Sequence, residues 1–386
     1  MNYRSLEQHK KNRQRKKKQA QQRKKNQKNI IIILLVMIVV VMVIVGISSC
    51  VSDWVKREQS SVSDTQSSEI YAQKSTENKN DIPDNGDDGY YLNEDIFVWN
   101  RQAFELFHGN QKNAETYASL INHCSQRLPE TVENVYSMVI PSHIALGLPE
   151  RLINTVQSNN QQEYIRQIYQ HYDSSVKSIS VFDTLDKHKR EYIFFRTDHR
   201  WTTLGSYYAY EQFCSSADLS PIPLNNRTYT DIPSFIGSMY AVTNLEILKN
   251  NADTLRYYDI DVDYRVRIQK TKNSSFKTYD SIYNLSARNT ADAYQLFLYG
   301  DNPVTQITCP DVSSNHKLLV IKDSYGNDFI SWLIGHYREI HVIDFTSYEG
   351  NIPYYCKNNT IDTVLFLNDV MSSVNSFQID HIASVF

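Results

Sequence analysis

The fold is decided by a short apolar run that ends in polar residues, the sequence KLLVIKDSYGN at residues 317–327. A continuous apolar run is typical of a strand that is covered on both faces of a parallel sheet. Similar runs are VYSMVI, ISVF, YIFF, IHVI and TVLFL at residues 135–140, 179–182, 192–195, 340–343 and 363–367. Because helical patterns separate most of these runs, the sequence predicts an α/β fold with a mainly parallel sheet.

Two helices are predicted before the first of these strands. Apolar residues at helical spacing favour one helix over residues 97–107 and a second over residues 112–127. Residues 238–292 are polar and rich in tyrosine, and they lack the strand-and-helix pattern. We therefore expect residues 238–292 to be an insertion that covers the site within a folded body at residues 94–386.

The N-terminal part of the chain predicts a membrane anchor. Residues 30–47 carry no polar side chain, and a helix of this length spans about 27 Å, close to the hydrocarbon core of a bilayer. Residues 1–28 hold 12 of the 40 Lys and Arg but one of the 43 Asp and Glu. Because basic flanks stay in the cytoplasm, we expect a cytoplasmic tail at 1–29, a lipid-contacting transmembrane helix at 30–50 and an extracellular body.

Two other interpretations of this segment stay open. The run ISSC at residues 47–50 loosely resembles a lipoprotein cleavage box, so a cleaved signal, with lipoprotein processing at Cys50, is the alternative to a retained anchor. The basic tail could bind nucleic acid, but beside an apolar segment it is better explained by contact with anionic lipid heads. The rest of the chain has 28 basic and 42 acidic residues, a net charge of −14, which argues against a nucleic-acid partner.

Between the anchor and the body lies a polar tether at residues 51–93. It has no hydrophobic periodicity and includes the acidic stretch DIPDNGDD at residues 81–88, which is typical of disordered or loosely ordered chain. The five cysteines are odd in number and none forms a C-x-x-C site, so neither a disulfide framework nor a zinc site is predicted. We expect no cofactor and no metal, and we expect the four cysteines after the anchor to be small buried residues.

Polar clusters follow two of the predicted strands. They are RTDHRWTT at residues 196–203 and KDSYGN at residues 322–327. Because functional sites of such folds lie outside the carboxyl ends of the strands, we expect the side chains of Asp198, His199 and Ser324 to meet. In a serine hydrolase the base takes the hydroxyl proton, the acid orients the base, and the oxygen attacks a carbonyl. Backbone N–H groups after the second strand would stabilise the oxyanion.

Each of these residues alone has a simpler explanation. Asp198, Thr202 and Ser324 are all good N-cap residues for a following helix. A single histidine is more often a surface or hydrogen-bonded residue than a catalytic base. The occurrence of two such clusters in one parallel-sheet pattern is what favours a serine-hydrolase-like site.

At these clusters the sequence resembles a known family. The run YIFFRTDHRWTTLGSYYAY at residues 192–210 resembles the hallmark of the DHHW family, and LLVIKDSYGN at residues 318–327 is similar to its second hallmark. Weaker matches are MVIPS at residues 138–142, FLYGDNP at 297–303 and VLFLN at 364–368. This bacterial envelope family is similar to the SGNH-hydrolase-like proteins that O-acetylate alginate. The resemblance covers roughly residue 90 to the C-terminus.

The resemblance implies a three-layer α/β/α sandwich and a chemistry of acyl transfer or ester hydrolysis. The implied substrate is an extracellular polysaccharide of the cell envelope that carries acetyl groups. Ser324 would be the nucleophile and Asp198 the orienting acid. Candidate substrate-binding residues beside them are Arg200, Trp201, Lys322, Tyr325 and Asn327. A multi-pass membrane protein that supplies the acyl group is a further possible partner.

One departure from the family pattern bears on the chemistry. The related acetyltransferases space their working pair as Asp-x-His, and the position of that histidine is Arg200 in this chain. An arginine stays protonated at neutral pH and cannot accept a proton. His199 would act as a displaced base only if it faced Ser324, and neighbours in an extended segment point to opposite faces. His143 is a further candidate for the base.

Two hypotheses follow from this departure. In the first, the protein is a membrane-anchored O-acyltransferase or esterase with His199 as the displaced base. In the second, it is a non-catalytic glycan-binding or scaffold protein of the envelope that uses the same cleft. An imidazole within hydrogen-bond reach of Ser324 would favour the first, and a guanidinium in that place would favour the second. The 27 tyrosines would supply sugar-stacking surface in either case.

Overall fold

The structure is a computed structural model that describes residues 80–290 and 292–386. The predicted tail at 1–29, the anchor at 30–50 and most of the tether lie outside the described residues. Within the part of the chain that the structure describes, no helix is both long enough and apolar enough to cross a membrane.

The described chain alternates strands with helices. Its strands are β1 Tyr90–Tyr91, β2 Ile96–Trp99, β3 Gln102–Glu105, β4 Asn134–Ile140, β5 Lys177–Ser178, β6 Tyr229–Phe235, β7 Asp253–Tyr258, β8 Arg265–Gln269, β9 Lys277–Tyr279, β10 Val304–Thr308, β11 Lys317–Lys322, β12 Glu339–Asp344 and β13 Thr363–Asp369. Its α-helices are α1 Gln111–Arg127, α2 Glu150–Ile153, α3 Gln161–Gln170, α4 Phe182–Lys187, α5 Thr203–Ser216, α6 Ser238–Thr243, α7 Glu246–Lys249, α8 Gly326–Leu333, α9 Ile352–Asn359 and α10 Ser376–Ser384. Short 3-10 helices lie at His143–Ala145, Leu224–Asn226, Leu285–Asn289 and Ala293–Leu296.

The core of the fold is an eight-stranded sheet with the strand order β5-β4-β13-β11-β12-β10-β8-β9. The first five strands in this order are parallel, whereas β10, β8 and β9 continue the sheet in antiparallel order. The sheet is therefore mixed, which corrects the prediction of a mainly parallel sheet. The antiparallel strands were missed because β8 alternates exposed and buried residues, a pattern of strands with one solvated face rather than a continuous apolar run.

Helices cover both faces of this sheet. Along β11, Leu318 and Val320 pack with α5 and α8 on one face, while Leu319 and Ile321 pack with α1, α3 and α9 on the other. Successive side chains of a strand point to opposite faces, so an all-apolar strand is buried on both sides. This arrangement confirms the α/β class and the strands predicted at β4, β11, β12 and β13. The four cysteines after the anchor are buried and unpaired, as predicted.

The first predicted helix, over residues 97–107, is wrong because this segment contains a β-hairpin. Strands β2 and β3 pair with Trp99 opposite Gln102. The two residues between them, Asn100 and Arg101, have φ angles of 47° and 60°, the left-handed backbone that a two-residue hairpin turn requires. The apolar residues that suggested helical spacing come from both strands. The second predicted helix is confirmed as α1.

Two of the predicted strands are also wrong. Residues 192–195 lie in a loop, where Phe194 forms an isolated bridge with Trp201. Residues 179–182 begin after β5 has ended, and Phe182 already belongs to α4. Both segments are apolar because they pack into the core as loops, so burial rather than sheet pairing accounts for their composition.

The region predicted as an insertion, residues 238–292, supplies part of the framework. Its strands β8 and β9 belong to the central sheet, and β7 pairs with β6 in a separate two-stranded ladder. The acidic stretch at 81–88, predicted as loosely ordered, is bound by Arg151. The guanidinium of Arg151 contacts the carboxylates of Asp84 and Asp88 at 2.7 and 2.5 Å, which attaches this stretch to α2.

Candidate functional site

Ser324 lies at the carboxyl end of β11, immediately before α8. The turn is shaped by Asp323, whose carboxylate accepts hydrogen bonds from the backbone N–H groups of Tyr325 and Asp369 and from the hydroxyl of Ser372. Burial and the neighbouring Asp369 raise the pKa of Asp323 to about 7. This network holds Ser324, which is half-buried, at the edge of the sheet.

The loop at residues 196–202 forms the other half of the site, and one buried carboxylate shapes it. Asp253, which is 1% exposed, accepts hydrogen bonds of 2.6–3.1 Å from the backbone N–H groups of Arg196 and Thr197 and from the Thr197 hydroxyl. These bonds fix the backbone that carries Asp198. The sequence analysis missed Asp253 because a single aspartate in a polar region carries no motif.

Arg200 connects the two halves of the site. Its Nη1 lies 3.0 Å from Oδ1 and 3.1 Å from Oδ2 of Asp198, and its Nε donates a hydrogen bond of 2.9 Å to Ser324 Oγ. The guanidinium also lies 4.2 Å from the ring centroid of Tyr294. Burial opposes the charge of Asp198, but the guanidinium lowers its pKa to about 2. Arg200 therefore occupies the place between acid and serine in which a catalytic base would act.

The imidazole of His199 is hydrogen-bonded to Ser238, and the Oγ of Ser324 is contacted by Arg200 instead. The Nδ1 of His199 lies 2.5 Å from Ser238 Oγ, and its backbone carbonyl accepts a hydrogen bond from the hydroxyl of Tyr325. Burial and the charge of Arg200 lower the pKa of His199 to about 4, so the imidazole is neutral at pH 7. Because Arg200 rather than His199 contacts Ser324, the geometric condition for His199 as a displaced base is not met.

His143 lies outside the site and is half-buried between two aromatic rings. Its ring stacks on Phe194 with the centroids 5.0 Å apart, and it lies 4.6 Å from the ring of Phe104. Burial lowers the pKa of His143 to about 3. Its packing between two aromatic rings explains its presence without a role in proton transfer.

Three of the five predicted substrate-binding residues are buried beneath the site, namely Trp201, Lys322 and Tyr325. The ammonium of Lys322 lies 2.6 Å from Asp344 and 3.1 Å from Asp301. In this structure the three residues support the floor of the site and do not line its cavity. The other two predicted residues, Arg200 and Asn327, do line it.

A cleft of about 980 Å³ opens beside Arg200. Segments within residues 233–241 and 288–302 form its walls, so part of the region 238–292 borders this cleft. The tyrosine rings that line it are Tyr240, Tyr294 and Tyr299. Its charged residues are Asp198, Arg200, Lys270, Arg288, Asp292 and Asp301. The cleft therefore combines aromatic surface with groups of both charges.

These features define an α/β protein in which an arginine lies between an aspartate and a serine at one edge of the sheet. The chain belongs to the DHHW family, because the family model described as DHHW protein matches residues 84–343. A solved DHHW family protein from Eubacterium siraeum DSM 15702 is 30% identical to it, with a TM-score of 0.66. This similarity covers 74% of the present chain and 93% of the other.

Two further solved structures are similar to the chain. Bacillus cereus PatB1 with a sulfonyl adduct is 20% identical, with a TM-score of 0.60, over 74% of this chain and 96% of that protein. The O-acetyltransferase domain of Pseudomonas putida AlgJ is 15% identical, with a TM-score of 0.40, over 75% of this chain and 99% of that domain. A comparison with curated protein sequences gave no match. The likeness to PatB1 shows a shared fold.

Proposed function

We propose that the protein is a membrane-anchored cell-envelope protein whose cleft binds an extracellular polysaccharide, and that Ser324 does not transfer acyl groups. The observation that carries this proposal is the position of the Arg200 guanidinium between Asp198 and Ser324. Support for the envelope setting comes from the apolar segment at residues 30–47 and from what the resemblance to the DHHW family implies.

The chemistry of Arg200 argues against a nucleophilic serine. A serine hydroxyl becomes a nucleophile when a neighbouring base accepts its proton. Arg200 instead donates its Nε–H to Ser324 Oγ, and a guanidinium has no acceptor site at neutral pH. The Asp198 carboxylate, which would orient a base, is occupied by the same guanidinium. Acid, arginine and serine thus form a fixed array of donors and acceptors.

The lining of the cleft supports a polysaccharide as the ligand. Tyrosine combines a large apolar ring with a polar tip, which suits the partly apolar faces and polar edges of sugar rings. Three tyrosines and six charged residues line the same cleft of about 980 Å³, and a volume near 1,000 Å³ is at the upper end for small-ligand sites. This size would accommodate several sugar units.

Acyl transfer or ester hydrolysis is the second candidate function. The observation that favours it is the convergence of Asp198 and Ser324 on one guanidinium, because both would be needed in a serine mechanism. This candidate requires that Arg200 move aside and that a base reach Ser324. A multi-pass membrane protein would be the expected source of the acyl group.

Esterase activity separates the two candidates. The purified full-length protein is incubated with 4-nitrophenyl acetate and compared with Ser324→Ala under the same conditions. We expect equal rates, because the serine has no base. A wild-type rate that depends on Ser324 would support the second candidate and contradict the first. Retardation of the wild-type protein in gels that contain the polysaccharide fraction of the producing cells tests the binding function.

The topology is a separate part of the proposal. If the tail at 1–29 is cytoplasmic and the body is extracellular, protease added to intact cells should remove the folded body. Lysed cells provide the control in which the tail is accessible as well. A body that stays protected until the cells are lysed would show the opposite orientation.

A further inference from the structure

We infer that Asp301 is the residue that recognises free hydroxyl groups of the polysaccharide. This inference rests on the proposed binding function and specifies the chemistry of its ligand. Asp301 belongs to the run FLYGDNP at residues 297–303, whose role the Arg200 site does not explain. It lines the cleft, and 44% of its side chain is exposed.

The hydrogen bonds of Asp301 are concentrated on one oxygen. Its Oδ1 accepts from Lys322 Nζ at 3.1 Å and from Asn327 Nδ2 at 2.9 Å. Its second oxygen, Oδ2, is therefore the one that is available to a ligand. Asn327 also lines the cleft, and its own Oδ1 is buried without a hydrogen-bond partner in the described structure. Buried polar atoms in native proteins nearly always have partners, so this amide is an unsatisfied polar group in the wall next to Asp301.

The backbone before Asp301 adopts an unusual conformation. Leu298, Tyr299 and Gly300 have φ angles of 55°, 60° and 83°, and left-handed backbone is costly for residues other than glycine. The side-chain amide of Asn302 holds the turn by donating to the carbonyls of Leu298 and Gly300 at 2.7 and 2.9 Å. Such conformations persist where the surroundings fix them, and they cluster at functional sites. The turn presents Asp301 to the cleft in one orientation.

A buried cation keeps Asp301 charged. Lys322 and Asp344 form an ion pair in which each side chain is 1% exposed, and the same ammonium contacts Asp301. Burial works against the charge of Asp301, but the ammonium holds the pKa of this carboxyl well below its usual range. Because burying an ammonium is costly, its position under Asp301 indicates that the ionised carboxylate matters to the cleft.

A charged acceptor beside aromatic rings selects a ligand with hydroxyl donors. Hydrogen bonds to a carboxylate are stronger than those between neutral groups, so a sugar hydroxyl would gain most from contact with Oδ2. Tyr299, two residues away in the chain, lines the same cleft. An O-acetyl group on the recognised hydroxyl would remove the donor. The cleft should therefore prefer the unacetylated polysaccharide.

Affinity measurements with one conservative substitution test this inference. The probe is the polysaccharide fraction of the producing cells, de-O-acetylated with dilute alkali, and the readout is the Kd of the full-length protein from affinity electrophoresis. Asp301→Asn keeps the shape of the side chain and should weaken binding roughly ten- to hundred-fold, as expected for a lost charged hydrogen bond. Asp311→Asn is the matched control, since Asp311 is an exposed carboxylate that does not line the cleft, and it should change the Kd by less than about threefold, the effect of a surface substitution.

A second arm uses the wild-type protein alone. Re-acetylation of the same polysaccharide with acetic anhydride should weaken wild-type binding by a comparable factor. If Asp301→Asn melts at a much lower temperature than wild type, the comparison of the two forms of the polysaccharide tests the inference instead of the variant. Equal affinity of the wild-type protein for both forms then overturns the inference. If the wild type binds and a folded Asp301→Asn binds equally well, the inference fails and the proposed function stands. If the wild type binds neither form, the proposed function fails as well.

Discussion

Two cation–carboxylate pairs border the same cleft in opposite orientations. In the first pair the carboxylate of Asp198 is buried, with 1% of its side chain exposed, and the guanidinium of Arg200 lines the cleft. In the second pair the ammonium of Lys322 is buried, with 1% exposed, and the carboxylate of Asp301 lines the cleft. The cleft therefore presents a cation at one position and an anion at another.

The opposite orientation of the two ion pairs explains why one site contains both of them, although each is costly to bury. Burying a charge costs several kcal/mol, and a buried ion pair is by itself weak evidence for stability. Asp198 fixes the position of the Arg200 guanidinium at the cleft, and Lys322 keeps the carboxyl of Asp301 ionised there. The Arg200 pair excludes a base from Ser324, and the Lys322 pair offers an acceptor to a ligand. Together they describe a cleft that is organised for binding.

Removal of the fully buried cation, the ammonium of Lys322, should have the largest effect on the free energy of unfolding. Lys322→Met leaves the buried carboxylate of Asp344 without its counter-charge, and the free energy of unfolding should fall by about 3–5 kcal/mol. Arg200→Met should cost less, because the ammonium of Lys322 pairs with two carboxylates, Asp344 and Asp301, whereas Arg200 pairs with Asp198. Urea unfolding at pH 7 measures both losses. Equal losses would contradict the asymmetry between the pairs.

The next largest effect on the free energy of unfolding is expected at Asp328, a buried carboxyl that forms no ion pair within the described residues. Asp328 accepts a hydrogen bond of 2.9 Å from Trp201 Nε1, and burial raises its pKa from 3.8 to about 7. A carboxyl whose pKa is raised by folding stabilises the protein below its ordinary pKa, and this contribution is lost as the pH rises toward 7. The unfolding free energy of Asp328→Asn minus that of wild type should therefore increase by roughly 2–4 kcal/mol between pH 4 and pH 7.

The comparison with wild type is needed because other groups have the opposite sign. The lowered pKa values of His143 and His199 add stability as the pH rises through the same range. Both histidines are present in the two proteins, so the difference isolates Asp328. A difference that stays constant from pH 4 to pH 7 would show that the carboxyl of Asp328 is not perturbed.

The position of Ser324 could be predicted from the sequence, and the partners of Arg200 could not. The β11 run is apolar at successive positions, which is the pattern of a strand buried on both faces, and Asp323 and Ser324 follow it directly. The shape of the 196–202 loop depends on Asp253, more than fifty positions along the chain. Contacts at such separation leave no local pattern, so the sequence supplied the residue types but not their pairing.

The hairpin of β2 and β3 was missed for a local reason. Its two apolar strands also satisfy a helical spacing, and such ambiguity is common in short apolar segments. The turn residues Asn100 and Arg101 do not form the Asn-Gly pair that most often marks a two-residue hairpin. Strand β8 was missed because it alternates polar and apolar residues.

The smallest effect is expected at Ser324. Ser324→Ala removes the acceptor of one hydrogen bond from Arg200, and the free energy of unfolding should fall by about 1 kcal/mol. Polysaccharide affinity should change far less than in Asp301→Asn, because the hydroxyl is not the proposed recognition group. Urea unfolding and affinity electrophoresis check the two parts. A loss of affinity as large as that of Asp301→Asn would place Ser324 in the binding site.

The central claim is that Arg200 keeps Ser324 from acting as a nucleophile, and Arg200→His tests it most directly. The substitution places an imidazole between Asp198 and Ser324, where general-base catalysis contributes about 10²–10⁴-fold. Hydrolysis of 4-nitrophenyl acetate is measured for wild type, Arg200→His, and Arg200→His combined with Ser324→Ala. The account predicts a gain of that order in the single variant and its loss in the double variant. Wild-type activity that requires Ser324 and His199, and that Arg200→His leaves unchanged, would contradict it.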